Sequence, residues 1–386
     1  MIYLDNNATT RIDPRVLETM MPYLTDTYAN AASTHLFGLV AHEAVKTARQ
    51  QIADLIGSET HEIIFTSGAT EAINLAIKGV AEQYQLKGRH IITVQTEHKA
   101  VLDVCEYLET RGFEVTYLPV QPDGLLDLDT LKTALRPDTI LVSVMLVNNE
   151  TGVIQPISDI AELAHEAGAL FMTDATQAVG KLPIAVDHLG RSDASVDLLT
   201  LSGHKLYGPK GIGALYVRQR RPHKVKIPAL LHGGGHERGL RSGTLNVPGI
   251  VGLGKACELA RHGMVVETQL IASLRDHLET ALLEIPGTRV NGNRENRLYN
   301  TTNILFEHCD SDAMIMGLEG IAVSNGSACT AASIDPSHVL LAMGLTETEA
   351  FSCLRFSLGR FTTEAEIAKT VKAMKDVVEG LRAMVG

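Results

Sequence analysis

Ser202-Gly203-His204-Lys205 follows the apolar run Val196-Asp197-Leu198-Leu199-Thr200-Leu201 and precedes Leu206-Tyr207-Gly208-Pro209-Lys210-Gly211-Ile212-Gly213. The run is short and nearly continuous, as expected of a strand buried on both faces of a sheet. A lysine at the end of such a strand becomes nucleophilic when it is desolvated or crowded by other positive charge. Small and hydroxyl neighbours, with glycines behind them, let a flat ligand lie against the backbone. Lys205 is therefore placed to form a Schiff base with an aldehyde, provided that the rest of the chain supplies the other groups such a ligand needs.

Outward from this stretch, strand-like and helix-like segments alternate between about residue 60 and residue 220. The strand candidates are Ile63-Phe65, His90-Val94, Glu114-Leu118, Thr139-Val147, Leu170-Thr173, Leu198-Leu201 and Gly213-Val217. Amphipathic helices such as Thr70-Gln85 and Ile157-Ala167 lie between several of them. The pattern predicts an α/β fold with a mostly parallel central sheet and helices on both faces. From about residue 260 the texture changes. A long helical pattern, roughly Gly254-Leu283, leads into strand-like Asn303-Phe306 and Cys353-Ser357, and Glu364-Met384 reads as a closing helix. This predicts a second, smaller α+β domain, rigidly joined through a helix.

The 386 residues exceed one ordinary core, in keeping with two domains. The charge balance of 34 basic against 45 acidic side chains, net −11, opposes direct, non-specific nucleic-acid binding, which needs a basic surface. No apolar stretch is long enough to span a bilayer, and Met1-Ile2-Tyr3-Leu4-Asp5 lacks the regions of a signal peptide. Cys105, Cys257, Cys309, Cys329 and Cys353 are odd in number and form no CxxC pair. That pattern disfavours a disulfide framework or a metal site and points to a reducing cytoplasm, with several of these thiols buried in the core.

Open α/β sheets bind ligands at the carboxyl ends of their strands. Thr66-Ser67-Gly68-Ala69-Thr70-Glu71 follows the first strand candidate and opens a helix. Glycine and hydroxyls there make a phosphate cradle, or a cap formed by Ser67 or Thr70. Thr96-Glu97-His98 follows the next strand, where His98 is either functional or a structural histidine. Asn148-Asn149-Glu150-Thr151-Gly152 ends another strand and has the composition of a plain turn. Asp174-Ala175-Thr176-Gln177 ends a fourth. Asp174 there either caps the next helix or faces a pyridinium nitrogen and keeps it protonated, which makes pyridoxal 5'-phosphate (PLP) an electron sink. Ser202 and His204 beside Lys205 extend the phosphate site. The glycine-rich loop from Gly233 to Thr244, with Arg238 and Arg241, suggests anion contact, a subunit boundary or an ordinary surface excursion.

With these residues in view, the chain resembles the cysteine desulfurases of the NifS/IscS type, PLP enzymes of fold type I. The resemblance runs over nearly the whole length. It rests on Tyr3-Leu4-Asp5-Asn6-Asn7-Ala8-Thr9-Thr10, Phe65 to Glu71, Thr96-Glu97-His98, Val147 to Gly152 and Thr173 to Gln177. It continues through Ser202 to Lys205, His236-Glu237-Arg238, Arg241-Ser242-Gly243-Thr244, Gly326-Ser327-Ala328-Cys329 and Arg355-Phe356-Ser357. It implies a large PLP-binding domain over 15–260, and a small domain of 1–14 with 261–386 that carries a cysteine loop at about 324–335.

It also implies roles. Lys205 would be the Schiff-base lysine, and His98 would stack on the cofactor ring and assist proton transfer. Asp174 would pair with the ring nitrogen, with Gln177 and Asn149 on the phenolic-oxygen side. Ala69, Thr70, Ser202 and His204 would hold the phosphate, and Thr244 would reach it from the other subunit of a homodimer. Arg355, with Asn149, would bind the substrate, the guanidinium gripping its carboxylate in bidentate fashion. Cys329 would be the nucleophile that takes sulfur from L-cysteine as a persulfide, releasing L-alanine. Its setting of Gly326, Ser327, Ala328, Thr330 and Ala331 suits a mobile loop.

The default destination of the sulfur is an acceptor protein of iron–sulfur cluster assembly. Transfer-RNA thiolation and DNA phosphorothioation are compatible alternatives. A selenocysteine lyase, another β-eliminating PLP enzyme and a non-catalytic docking scaffold are competing classes. The chain departs from the family pattern at Ala72-Ile73, Ala29-Asn30-Ala31, Asn325 and Ala331, positions expected to lie outside the catalytic set. It also stops at Gly386, without the longer C-terminal tail with which some relatives dock a scaffold.

Overall fold

A computed structural model describes residues 1–188, 195–220, 224–326 and 335–385. Among them are twelve strands: β1 (Ile2–Tyr3), β2 (Ile63–Thr66), β3 (His90–Val94), β4 (Glu114–Leu118), β5 (Thr139–Ser143), β6 (Leu170–Asp174), β7 (Leu198–Ser202), β8 (Gly213–Val217), β9 (Thr288–Asn291), β10 (Thr301–Phe306), β11 (Ile321–Ala322) and β12 (Cys353–Ser357). Seven form one sheet in the order β2-β8-β7-β6-β5-β3-β4, in which β8 alone runs antiparallel to its neighbours. The mostly parallel sheet predicted from the apolar runs is present.

Successive residues of the central strands feed opposite layers, as the pleat requires. Ile92, Val142, Phe171 and Leu199 enter one core, while Ile91, Leu141, Met172 and Leu198 enter the other. The helices Ala69–Tyr84 and Lys99–Glu109 cover the second layer, and Leu36–Ile56 and the start of Val247–Leu283 cover the first. β5 ends earlier than the expected Val147. Beyond Ser143 the chain follows β6 through single backbone bonds, Val144 N to Met172 O and Leu146 N to Asp174 O. It then turns, so that Val147 pairs with Ile154.

A second, antiparallel sheet, β12-β10-β9, and the parallel pair β1-β11 surround a separate core of Leu4, Ile304, Phe306, Leu354, Phe356 and Met374. The helix Val247–Leu283 serves both cores. Ile250, Leu253 and Ala256 pack into the large one, and Ile271, Leu278 and Leu282 into the small one. This helix begins seven residues before the expected Gly254. Asn246 caps it by accepting from Gly249 N at 3.1 Å, and a proline follows in the first turn. Glycines at 249, 252 and 254 hid the apolar periodicity. Gly254 is there for close approach: a Cβ would lie 2.6 Å from Ala48 Cα on the helix Leu36–Ile56.

Candidate active site

The carboxyl ends of β2, β3, β6 and β7 converge on one cleft of about 540 Å³, within the ordinary range for small-ligand sites. Ala69, Thr70, His98, Asn149, Asp174, Gln177, Ser202, His204, Lys205 and Arg355 all line it. Sequence separations of up to 286 residues are thereby closed by the sheet. Thr244 is exposed and stands apart from the cleft of its own chain. Cys329, Ser327, Ala328, Thr330 and Ala331 lie outside the described residues, although Gly326 lines the cleft.

Lys205 sits in a short helical turn that β7 runs into. Its Nζ donates to the Asn7 and Ala8 carbonyls at 2.5 and 2.7 Å. The polar N-terminal segment thus forms one wall of the site, and Asn7, Ala8 and Thr9 are cleft residues that periodicity alone missed. The available signal was a run of six polar or small residues, Asp5 to Thr10, next to an apolar strand and with no helical period. His204 Nδ1 lies 3.0 Å from Thr9 Oγ1. Burial, then Lys205, Lys210 and Lys181, push its imidazole down to about 4, so the ring is neutral at physiological pH.

Asp174 accepts three donors on Oδ1: Thr176 N at 3.0 Å, Thr176 Oγ1 at 2.5 Å and Thr200 Oγ1 at 3.0 Å. These fix the carboxylate plane at the edge of the cleft. Below it, Glu97 is buried and accepts from Met145 N at 2.6 Å through Oε1. Burial, reinforced by Asp174, pushes Glu97 well above the ordinary carboxylate range. His98 caps the helix Lys99–Glu109 by accepting from Ala100 N at Nδ1, 3.1 Å away. That bond places the proton of the neutral ring on Nε2.

The helix Ala69–Tyr84 starts at Gly68 with no side-chain cap, so neither Ser67 nor Thr70 plays the capping role considered for them. Its first N–H groups instead adjoin the cleft with Ser202, which suits an anion. A carboxylate, Glu71, borders the same end. Burial pushes it up, but Arg241 at 2.8 Å and Ser67 N at 2.7 Å more than offset this and hold it below its ordinary value. The loop arginines are therefore engaged internally: Arg241 with Glu71, and Arg238 with the Ile63 carbonyl at 2.6 Å. Glu237, in the left-handed region, adds a buried ion pair with Arg49 at 2.7 Å. These contacts brace the loop on β2 and occupy both arginines.

Asn148 builds the turn after β5, its Oδ1 accepting from Glu150 N and Thr151 N at 2.9 Å each. The turn thereby presents Asn149 to the cleft. The Asn149 carbonyl accepts from Arg355 Nη1 at 3.0 Å, and Asp5 Oδ1 lies 2.6 Å from Arg355 Nη2. Arg355 is 3% exposed, and among the described residues its Nε finds no acceptor. Because Arg355 lines the cleft, this leftover donor is suited to a ligand oxygen. Of the departures from the family pattern, Ile73 lines the cleft wall. Asn325 bonds Asp312 at 2.8 Å.

These residues fit PLP. An uncapped helix start with Ser202 and neutral His204 suits its phosphate, fixed Asp174 suits its ring nitrogen, and Lys205 shares the cleft. The thiols of Cys105, Cys257, Cys309 and Cys353 are buried, as expected of core cysteines. Burial is the largest influence on each, and it pushes Cys105 and Cys353 up to about 12.

The model of the aminotransferase class-V family matches residues 2–369. A curated cysteine desulfurase IscS of Haemophilus influenzae (strain PittGG) is 55% identical over 99% of this chain and 94% of its own. A solved NifS-like protein superposes with a TM-score of 0.90 at 38% identity, covering 98% of this chain and 99% of its own. A solved structure of SspA in complex with cysteine gives a TM-score of 0.82 at 41% identity, covering 94% and 100%. The fold, the PLP-compatible cleft and these likenesses agree: the chain belongs to the class-V aminotransferase family, among the cysteine desulfurases of the NifS/IscS type.

Proposed function

We propose that this protein is a PLP-dependent cysteine desulfurase that converts L-cysteine to L-alanine and passes the sulfur, as a persulfide on Cys329, to an acceptor protein. The observation that carries this reading is the buried Arg355 guanidinium, with an orphaned Nε, in the same cleft as Lys205. An amino acid held there by its carboxylate is placed beside the lysine.

Lys205 would hold the cofactor's aldehyde, Asp174 its ring nitrogen and His98 its ring face. Gln177 and Asn149 would face its phenolic oxygen. Ala69, Thr70, Ser202 and His204 would hold its phosphate, with Thr244 reaching in from a second subunit. When bound, PLP supplies an electron-withdrawing ring that stabilises negative charge at the substrate's Cα. Arg355 receives the carboxylate of L-cysteine. Lys205, once released, carries the Cα proton, and His98 Nε2 assists. Cys329 must act as a thiolate, and an unperturbed thiol titrates near about 8.5. Its sulfur attacks the substrate sulfur. An S–S bond forms, the Cβ–S bond breaks with its electron pair left on carbon, a proton is returned to that carbon, and alanine leaves.

The acceptor we infer belongs to iron–sulfur cluster assembly, in keeping with the IscS relative. Exposed Leu17, Met21, Leu24, Leu36 and Phe37 on the first two helices of the chain support a homodimer, as does Thr244 lying outside its own cleft. Core membership supports the two-domain division: Ala260 packs with the large core, Ile271 with the small one. Among the described residues no helix is long and apolar enough to cross a membrane. The free thiols of the four described cysteines support a cytoplasmic setting.

Lys205→Ala tests the reading. Reconstituted with PLP, it is expected to lose the visible band of the lysine-bound cofactor and to drop at least ~10³-fold in alanine formation, the scale of losing a covalent and proton-transfer group. An unchanged band and rate would overturn the assignment. Transfer of ³⁵S from labelled cysteine, with a cluster scaffold and a tRNA-thiolation protein offered together, tests the acceptor. Label on the scaffold supports the reading, and label on the thiolation protein alone rejects it.

A further inference from the structure

Lys181 lies behind the cleft, 5% exposed, one helical turn's spacing after Gln177. Its Nζ donates to Gln177 Oε1 at 2.8 Å. The other end of the same amide, Gln177 Nε2, donates to the Asn7 carbonyl at 2.8 Å. That carbonyl also accepts from Lys205 Nζ at 2.5 Å. A backbone carbonyl only accepts, and Lys181 Nζ is the donor within reach of Oε1. The two neighbours therefore lock the amide from both ends: Oε1 must face Lys181, and the NH₂ group must face Asn7 and the cleft that Gln177 lines.

We propose that Lys181 is a positioning residue that holds the Gln177 amide with its NH₂ group toward the cleft, so that Gln177 meets the phenolic oxygen of bound PLP as a donor. The proposal rests on the reading of Gln177 given above. Lys181 is hard to pick out from sequence, because it belongs to no strand end and resembles a surface lysine. Burial is what singles it out. A lysine is almost never buried without a purpose, since the charged form resists desolvation. Here burial, then the charges of Lys205 and Arg355, push the amine down to about 7. In exchange it satisfies an amide oxygen that would otherwise be buried without a donor. Removing Lys181 leaves that oxygen orphaned and the amide held from the Asn7 end alone, which loosens its donor orientation toward the cleft.

The holoenzyme's visible band reports this directly. Its pH midpoint reads the proton shared between Lys205 Nζ and the phenolic oxygen. A donor on that oxygen weakens its hold on the proton and lowers the midpoint, so losing the donor raises it. Lys181→Met, which keeps length and bulk, is expected to raise the midpoint by about one pH unit, a tenfold change in proton affinity. Gln177→Ala is expected to raise it as well, and the double variant to exceed Gln177→Ala alone only by the smaller shift that loss of the Lys181 charge brings directly at Lys205. Cofactor content and thermal melting confirm that each variant is folded and loaded. If Gln177→Ala shifts the band but Lys181→Met does not, or if the two shifts add, the role of Lys181 is overturned. If loaded Gln177→Ala is itself silent, the reading of Gln177 fails, and the role of Lys181 with it.

Discussion

Two buried side chains carry the most specific expectations at the residue scale. Arg355 holds Asp5 and the Asn149 carbonyl while keeping Nε unpaired. Arg355→Ala is expected to lower kcat/KM for L-cysteine roughly 10- to 150-fold, the range of one charged hydrogen bond, mostly through KM. Arg355→Lys is expected to rescue little, since a lysine cannot reproduce the planar fork. Steady-state kinetics at saturating PLP check both, and an unchanged KM would contradict the role.

Glu150 is the second. Its Oε2 accepts from Ser337 Oγ at 2.5 Å, and a Cβ on Gly326 would press into the same oxygen. Burial pushes its carboxyl up to about 7, partly offset by Ser337, Arg355 and His98. Because the folded-state value is raised, the protonated form favours the fold. Stability from this group is full below about pH 4.5 and is lost as pH rises to about 7, after which it changes no further. Glu150→Gln removes that slope. Its stability relative to wild type should rise between pH 5 and 8, by at most about 3 kcal/mol. Urea melts at four pH values check this, and parallel profiles would contradict it.

At the scale of elements, the helix Val247–Leu283 decides how the two cores are held. Its glycines allow the backbone of Leu36–Ile56 to approach, so Gly254→Val is expected to destabilise by about 1–3 kcal/mol as overpacking, seen as a lower melting temperature. An unchanged melt would mean the helices separate freely. Strand positions were legible because β3, β4, β8 and β12 are continuous apolar runs or match their predicted limits, and period-two burial comes from the pleat. The start of the long helix was not, because glycines chosen for close approach erase the periodicity that reveals a helix. The loop around Glu237 was also opaque. Its two arginines look like anion ligands in one dimension, and only the fold reveals that Glu71 and the Ile63 carbonyl already occupy them.

At the scale of the molecule, the cleft exists because the sheet aligns strand ends whose polar residues are far apart in the chain. That much comes from one rule about α/β sheets, which is why His98, Asp174, Ser202 and Lys205 could be named from sequence. The N-terminal wall of Asn7 and Ala8, the backing lysine Lys181 and the buried Glu97 could not, since their roles come from burial and from hydrogen bonds across the fold. A dimer built on the exposed apolar faces of the first two helices predicts that Leu24→Asp with Phe37→Asp yields monomers in sedimentation velocity. Such monomers should bind PLP more weakly if Thr244 completes the partner's site, and a variant that stays dimeric would place the interface elsewhere.

On the proposed function Lys205 and Cys329 divide one reaction, the lysine moving protons and the thiol removing sulfur. Mass spectrometry of the protein after a single turnover with L-cysteine, with alanine quantified alongside, tests it most directly. An adduct of about 32 Da is expected on the peptide containing Cys329, equal in amount to the alanine formed, with neither product above background in Cys329→Ser. Full alanine formation by Cys329→Ser, with free sulfide in place of the adduct, would contradict it.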